Sequence, residues 1–165
     1  KIYHKPNADL EIKYTISVDP ELTETSSFSP VIESEIFHFL LPQWTLRLPD
    51  DFLKFTYSIQ FEDVPNDWVA LSNLPKNEEG VYQITAIQDD FEPKIVGGNY
   101  DYYSIELNCK PVDIAISYHF REINLFSDIT KLLTSQRSFF DFDANDQFLV
   151  SVSKRDGILS GTAIN

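Results

Sequence analysis

The stretch from Val112 to Val152 constrains this chain most, because it sets a helical pattern between two strand patterns. Val112, Ile114, Ile116 and Tyr118 alternate with Asp113, Ala115, Ser117 and His119. That period of two is the signature of a strand with one buried face. Ser127 then stands at an N-cap position with Asp128 in the positive first turn, which predicts a helix over 127–140. Along it Ile129, Leu132, Leu133 and Gln136 recur at helical spacing, and Phe139 and Phe140 close the apolar stripe. Phe148, Val150 and Val152 return to alternation. A helix between two strands predicts a crossover connection, the unit that builds parallel and mixed sheets.

Strand signals dominate the chain before that stretch. Leu10, Ile12, Tyr14, Ile16 and Val18 alternate with polar residues until Asp19-Pro20 ends the run, and Glu21 to Pro30 reads as a polar loop. Ile36 to Leu41 is nearly all apolar, as in a strand buried on both faces or in a sandwich interior. Leu53, Phe55, Tyr57, Ile59 and Phe61 alternate without a break. Trp68 to Leu71 and Val81 to Ile87 are further strands, parted by a turn over Pro75 to Gly80. Short strands with Pro-rich turns and no helix read as an antiparallel sandwich. Asp89 to Gly98 makes a poor strand, with Pro93 and the pair Gly97-Gly98, so the domain boundary is placed there. Beyond it Tyr103, Ile105 and Leu107 form one more strand. The expected fold class is mainly β with a small α+β part, residues 1–92 forming a β-sandwich domain and 93–165 a second unit around the helix.

Charge removes several function classes. The 165 residues carry 13 Lys plus Arg against 26 Asp plus Glu, a net charge of −13 that repels phosphate backbones and anionic membrane surfaces. Nucleic acid is therefore not an expected partner. No apolar run approaches the ~20 residues that span a bilayer. No secretory signal pattern is visible and the sequence contains no Met, which reads as a mature or trimmed form of a soluble protein, cytoplasmic or exported. Fourteen per cent aromatic and 42% apolar content supports a packed core rather than disorder.

No catalytic constellation stands out. Asp141, Asp143 and Asn145 occupy the first ligand positions of a calcium loop, but Asp146 replaces the Gly of its sharp turn and Val152 its bidentate Glu. A solvated acidic turn that stops the helix is the favoured reading. His4, His38 and His119 are scattered, and HExxH is absent, so no metal site is expected; His38 reads as a hydrogen-bonded core residue. Cys109 cannot form an internal disulfide and has no cationic neighbour in sequence, so it reads as a buried, inert thiol. Ser160 lies one residue off the nucleophile-elbow spacing. Asp50-Asp51 and Asp89-Asp90 read as turn and cap residues. Trp44 and Trp68, with the Tyr residues, offer a second function class: a stand-alone sandwich that binds carbohydrate or peptide on an aromatic face.

Four segments in order resemble the glycyl-aminopeptidase-like, PDZ-containing zinc metallopeptidases of the gluzincin clan. Leu41-Pro42-Gln43-Trp44-Thr45 is similar to the LPxWTPG segment of their N-terminal β domain, with Leu46-Arg47 in place of Pro-Gly. Trp68 to Pro75 is similar to their W…A-x-S-L-P stretch, and Asp89 to Gly98 to the segment that opens the catalytic domain. Phe148 to Asn165 resembles the strand and glycine loop before the zinc-binding helix. The resemblance implies a β-sandwich leading into the first strands and helix of a thermolysin-like domain, ending before HExxH. It implies a hydrolase whose zinc belongs to the parent enzyme, with no cofactor held by this chain, which is inactive alone. Its partners would be the remainder of its own polypeptide and the parent's peptide substrate. Related aminopeptidases carry an acidic residue for the substrate amine in the glycine loop, and this chain has none there. The role left to Ser160, Gly161, Thr162 and Asn165 is to hold an extended peptide at the sheet edge.

Overall fold

The computed structural model describes residues 12–17, 30–40, 56–85, 93–140, 148–154 and 163–164. Within them the chain is mostly β-structure with one long helix. A first sheet has four strands in the order β1 (Val31–Ile32), β2 (Ile36–Leu40), β6 (Lys94–Gly98) and β4 (Val69–Ser72), all antiparallel. A two-stranded ribbon pairs β3 (Thr56–Ile59) with β5 (Tyr82–Thr85). A second sheet runs β10 (Ala163–Ile164), β9 (Phe148–Val152), β8 (Lys110–Ser117) and β7 (Tyr100–Leu107).

The crossover expected from the sequence is present. Strand β8 pairs with β9 in parallel, and helix α1 (Leu125–Phe140) connects them. The β7–β8 hairpin closes through Asn108 and Cys109, whose φ values of 53° and 59° give the left-handed pair that a two-residue turn of this type needs. Asn tolerates that conformation well; Cys109 follows it at the hairpin tip and is exposed, not buried, because a turn residue has no sheet to cover it. Pairing with β9 starts at Val112, one residue past Pro111, so the proline's missing N–H stays out of the parallel ladder.

Three apolar clusters hold these layers. Phe39, Ile59, Leu74, Tyr82 and Ile95 join the ribbon to the first sheet. Val31, Ile36, Leu71, Val96, Tyr100, Ala115 and Leu149 lie between the two sheets. Val112, Ile114, Ile116 and Leu133 pack α1 onto the second sheet, with Phe126 and Ile129 alongside. Strand β8 therefore has a layer on each side, and Val112 to Ser117 are buried on both faces rather than on one.

Four further expectations are corrected. Lys94–Gly98 is a fully buried central strand, not a poor one. Its glycines serve close approach: a Cβ on Gly97 would lie 2.2 Å from the Phe37 ring, and one on Gly98, at φ +136°, 2.2 Å from the Glu35 carbonyl oxygen. The helix starts at Leu125, so Ser127 sits inside its first turn. The face on the sheet is then Phe126, Ile129 and Leu133, which turns Leu132 (58% exposed) and Phe139 (80%) to solvent. Residues 12–17 form no regular element; Ile12 and Tyr14 are exposed, because alternation alone supplies no neighbouring strand to pair with. Strand β3 begins at Thr56, and 41–55, 86–92 and 141–147 lie outside the described residues.

Candidate functional site

The polar side chains that the fold buries converge between the two sheets. On β8 and β9 the buried residues facing the helix are apolar, while Asp113, Ala115 and Ser117 on β8 and Leu149 and Ser151 on β9 face the first sheet. Asp113 is 7% exposed and accepts the Tyr102 hydroxyl of β7 at 2.8 Å. Burial and that carboxylate hold the Tyr102 hydroxyl above its usual range. Burial also pushes Tyr82 up to about 12, against a hydrogen bond with the Ser72 backbone, and drives Tyr100 upward too.

Lys94, the first residue of β6, enters the same layer from the opposite side and is 1% exposed. Its backbone N–H donates to Asn73 Oδ1 at 2.7 Å, and its ammonium Nζ donates to Ser151 Oγ at 2.7 Å. Burial lowers its pKa to about 8, since the charged form loses its hydration. Asn73 and Ser72 are buried with it, and Ser72 Oγ accepts from Leu74 N at 3.2 Å, which shapes the bend after β4.

The two sheets join at Asn99. Its N–H donates to the Glu35 carbonyl at 2.8 Å and its Nδ2 to Glu35 Oε2 at 3.0 Å; its own carbonyl accepts Tyr118 N at 3.2 Å. Its Oδ1 accepts Arg121 Nη2 at 2.7 Å, and Arg121 also pairs with Asp101 at 3.0 Å. Beside this ion pair, Asp101, Tyr103, Phe120, Arg121, Asn124 and Phe126 border a cavity of about 280 Å³, and the Tyr103 and Phe126 rings stack at 4.2 Å.

Of the residues singled out in the sequence, Ser160, Gly161, Thr162 and Asn165 lie outside the described residues, as do Asp141, Asp143, Asn145, His4, Trp44 and the pairs at 50–51 and 89–90. The strand that follows Thr162 is described: β10 pairs antiparallel with β9, Ala163 opposite Val150, and forms one edge of the second sheet. His38 is partly buried on β2, and His119 Nδ1 lies 3.0 Å from Ser117 Oγ. Trp68 is partly buried and packs on Phe37 at 6.4 Å. No group of metal-binding side chains occurs among the described residues. The Lys94–Ser151 and Tyr102–Asp113 pairs were not picked out by any motif; a lysine inside the apolar run Pro93-Lys94-Ile95-Val96 was the available signal.

No family model and no curated protein matches this sequence. Among solved structures, it is similar to an aminopeptidase N family protein from Idiomarina loihiensis, at TM-score 0.60 and 11% identity over 77% of this chain and 23% of that one. Legionella pneumophila aminopeptidase A in complex with aspartic acid aligns over 75% of this chain and 17% of that one, at TM-score 0.41 and 19% identity, a likeness too slight to build on. The fold is thus aminopeptidase-like, and the chain spans less than a quarter of the first neighbour's length. No helix among the described residues is long and apolar enough to cross a membrane.

Proposed function

We propose that this chain is the non-catalytic opening portion of a zinc metallopeptidase of aminopeptidase type. Residues 1–92 form its N-terminal β-sandwich and 93–165 the start of a thermolysin-like catalytic domain, as in the glycyl-aminopeptidase-like branch of the gluzincins. The polypeptide itself passes from the first sheet to the second at Asn99. The observation that carries this reading is the likeness to the Idiomarina protein, at TM-score 0.60 over 77% of the chain. The parallel β8–α1–β9 unit, with β10 on its edge, supports it from within the chain.

In this role the chain is scaffold and substrate-side wall. Zinc and the general base come from the remainder of its own polypeptide. Ser160, Gly161, Thr162 and Asn165, next to edge strand β10, present backbone N–H and C=O groups to an extended peptide substrate. Zinc analysis and a peptidase assay should be blank for this chain alone and positive for a polypeptide extended through an HExxH-bearing downstream sequence. Zinc-dependent cleavage by this chain alone refutes the proposal, and so does a stop codon in place of that sequence.

A further inference from the structure

A buried ammonium without a counter-charge is an expensive thing to keep in a protein core. Lys94 is such a group: it is 1% exposed, and no carboxylate among the described residues pairs with it. Asp113, the buried acid of the facing sheet, is bonded to Tyr102. An apolar side chain would fill the same place without the desolvation cost, so packing does not account for a lysine there. What the lysine touches is a hydroxyl. Ser151 Oγ lies 2.7 Å from Nζ; Ser151 as a residue is partly buried, and Lys94 is fully so. A hydroxyl with an amine base within hydrogen-bond reach is the core of an activated serine, and Asn73 Oδ1 anchors the backbone N–H of the strand residue that carries the base.

We propose that Ser151 and Lys94 form a serine–lysine acyl-transfer site that accepts small activated carboxylic esters. The neutral amine of Lys94 takes the proton from Ser151 Oγ as Oγ bonds to the ester carbonyl carbon. The carbon–oxygen bond to the leaving alcohol then breaks, and that oxygen leaves with the proton held on Lys94. Water, deprotonated by the same amine, then bonds to the acyl carbon; the carbon–Oγ bond breaks, Lys94 returns the proton to Ser151 Oγ, and the acid is released. Ser151 faces the first sheet across the inter-sheet layer. Lys94 is the first residue of β6 and lies opposite Leu40, the last of β2, so the pair sits at one end of that ladder.

Burial brings the amine into the range where a base is half deprotonated near neutrality, at about 8. The titratable groups on the facing elements are Tyr100, Tyr102 and Glu106 on β7, Asp113 on β8 and His38 on β2. The tyrosines, Tyr82 included, are held above their usual range and stay protonated there. The site needs no zinc and stands or falls apart from the peptidase reading.

The full chain is incubated with a fluorophosphonate probe across pH, and the adduct is located by mass spectrometry; hydrolysis of p-nitrophenyl acetate is followed in parallel. The expected result is one phosphonyl group on Ser151, formed faster as pH rises through about 8. Ser151→Ala and Lys94→Met each lose labelling and ester hydrolysis by at least about a hundredfold, the usual worth of a general base. Lys94→Arg keeps a donor to Ser151 but cannot deprotonate, so it loses both as well. Circular dichroism of Lys94→Met checks that its fold is intact. An unlabelled wild-type chain, an adduct elsewhere, or undiminished labelling of folded Lys94→Met overturns the proposal.

Discussion

The two faces of the second sheet are built from the same strands and hold opposite chemistry. Toward α1, β8 shows Val112, Ile114 and Ile116, each 4% exposed or less, against Leu133 of the helix. Toward the first sheet it shows Asp113, Ala115 and Ser117, in a layer that also holds Tyr102, Ser151 and Lys94. The centre of the first face is apolar, aliphatic on β8 with Phe148 and Phe126 alongside, so its worth is packing. The second mixes an apolar cluster with buried polar groups, and it spends stability on a charge. The fold rests on the helix side; the proposed chemistry lies on the other.

That contrast can be broken by substitution. The largest effect is expected on the helix face, where Ile114→Ala removes a side chain with no exposure and should cost about 3–4 kcal/mol in chemical denaturation. A loss well under that figure would mean that the helix is not the main clamp.

On the opposite face the sign reverses. Lys94→Met should stabilise the protein by about 3 kcal/mol at pH 7, from the fall of its pKa from 10.5 to about 8. The native state disfavours the protonated amine, so the unfolded chain holds more protons between about pH 8 and 10.5 and the wild type gains stability there. Tyr82 acts the other way: with its pKa raised from 10.0 to about 12, its contribution is complete below pH 10 and fades above. Denaturation curves should therefore rise from pH 8 toward 10 and turn over beyond it, while Lys94→Met shows only the fall. A wild-type curve flat between pH 8 and 10 would sink the buried-charge account.

The smallest effect sharpens the helix orientation. Leu132→Lys, at a position 58% exposed, should change stability by less than ~0.5 kcal/mol, although its neighbour Leu133 is 7% exposed.

The parts of the fold legible in the sequence are those where pattern and environment agree. The β8–α1–β9 crossover could be read because the period changes from two to 3.6 and back, and the apolar run at Ile36 marked a central strand. Strand β6 could not, because Pro93 and Gly97-Gly98 are ordinary strand breakers. Their actual reason, the Phe37 ring and the Glu35 carbonyl, comes from a neighbour some sixty residues away in sequence. Ser127 is a good helix cap by residue type, yet the helix begins two residues before it, at Leu125. Asp113 read as the polar side of a half-buried strand, since alternation cannot report a second layer above it. Lys94 and Ser151 are fifty-seven residues apart and form no motif; their pairing exists only once β6 and β9 face each other.

Asn99 has a mechanical consequence. Its backbone and side chain bind Glu35 on one side and Tyr118 and Arg121 on the other. Swinging one sheet against the other would shear all of those bonds at a single residue. A molecule riveted in this way has to yield at its rims first, where, among the described residues, β10 and β7 each leave one flank without a neighbouring strand.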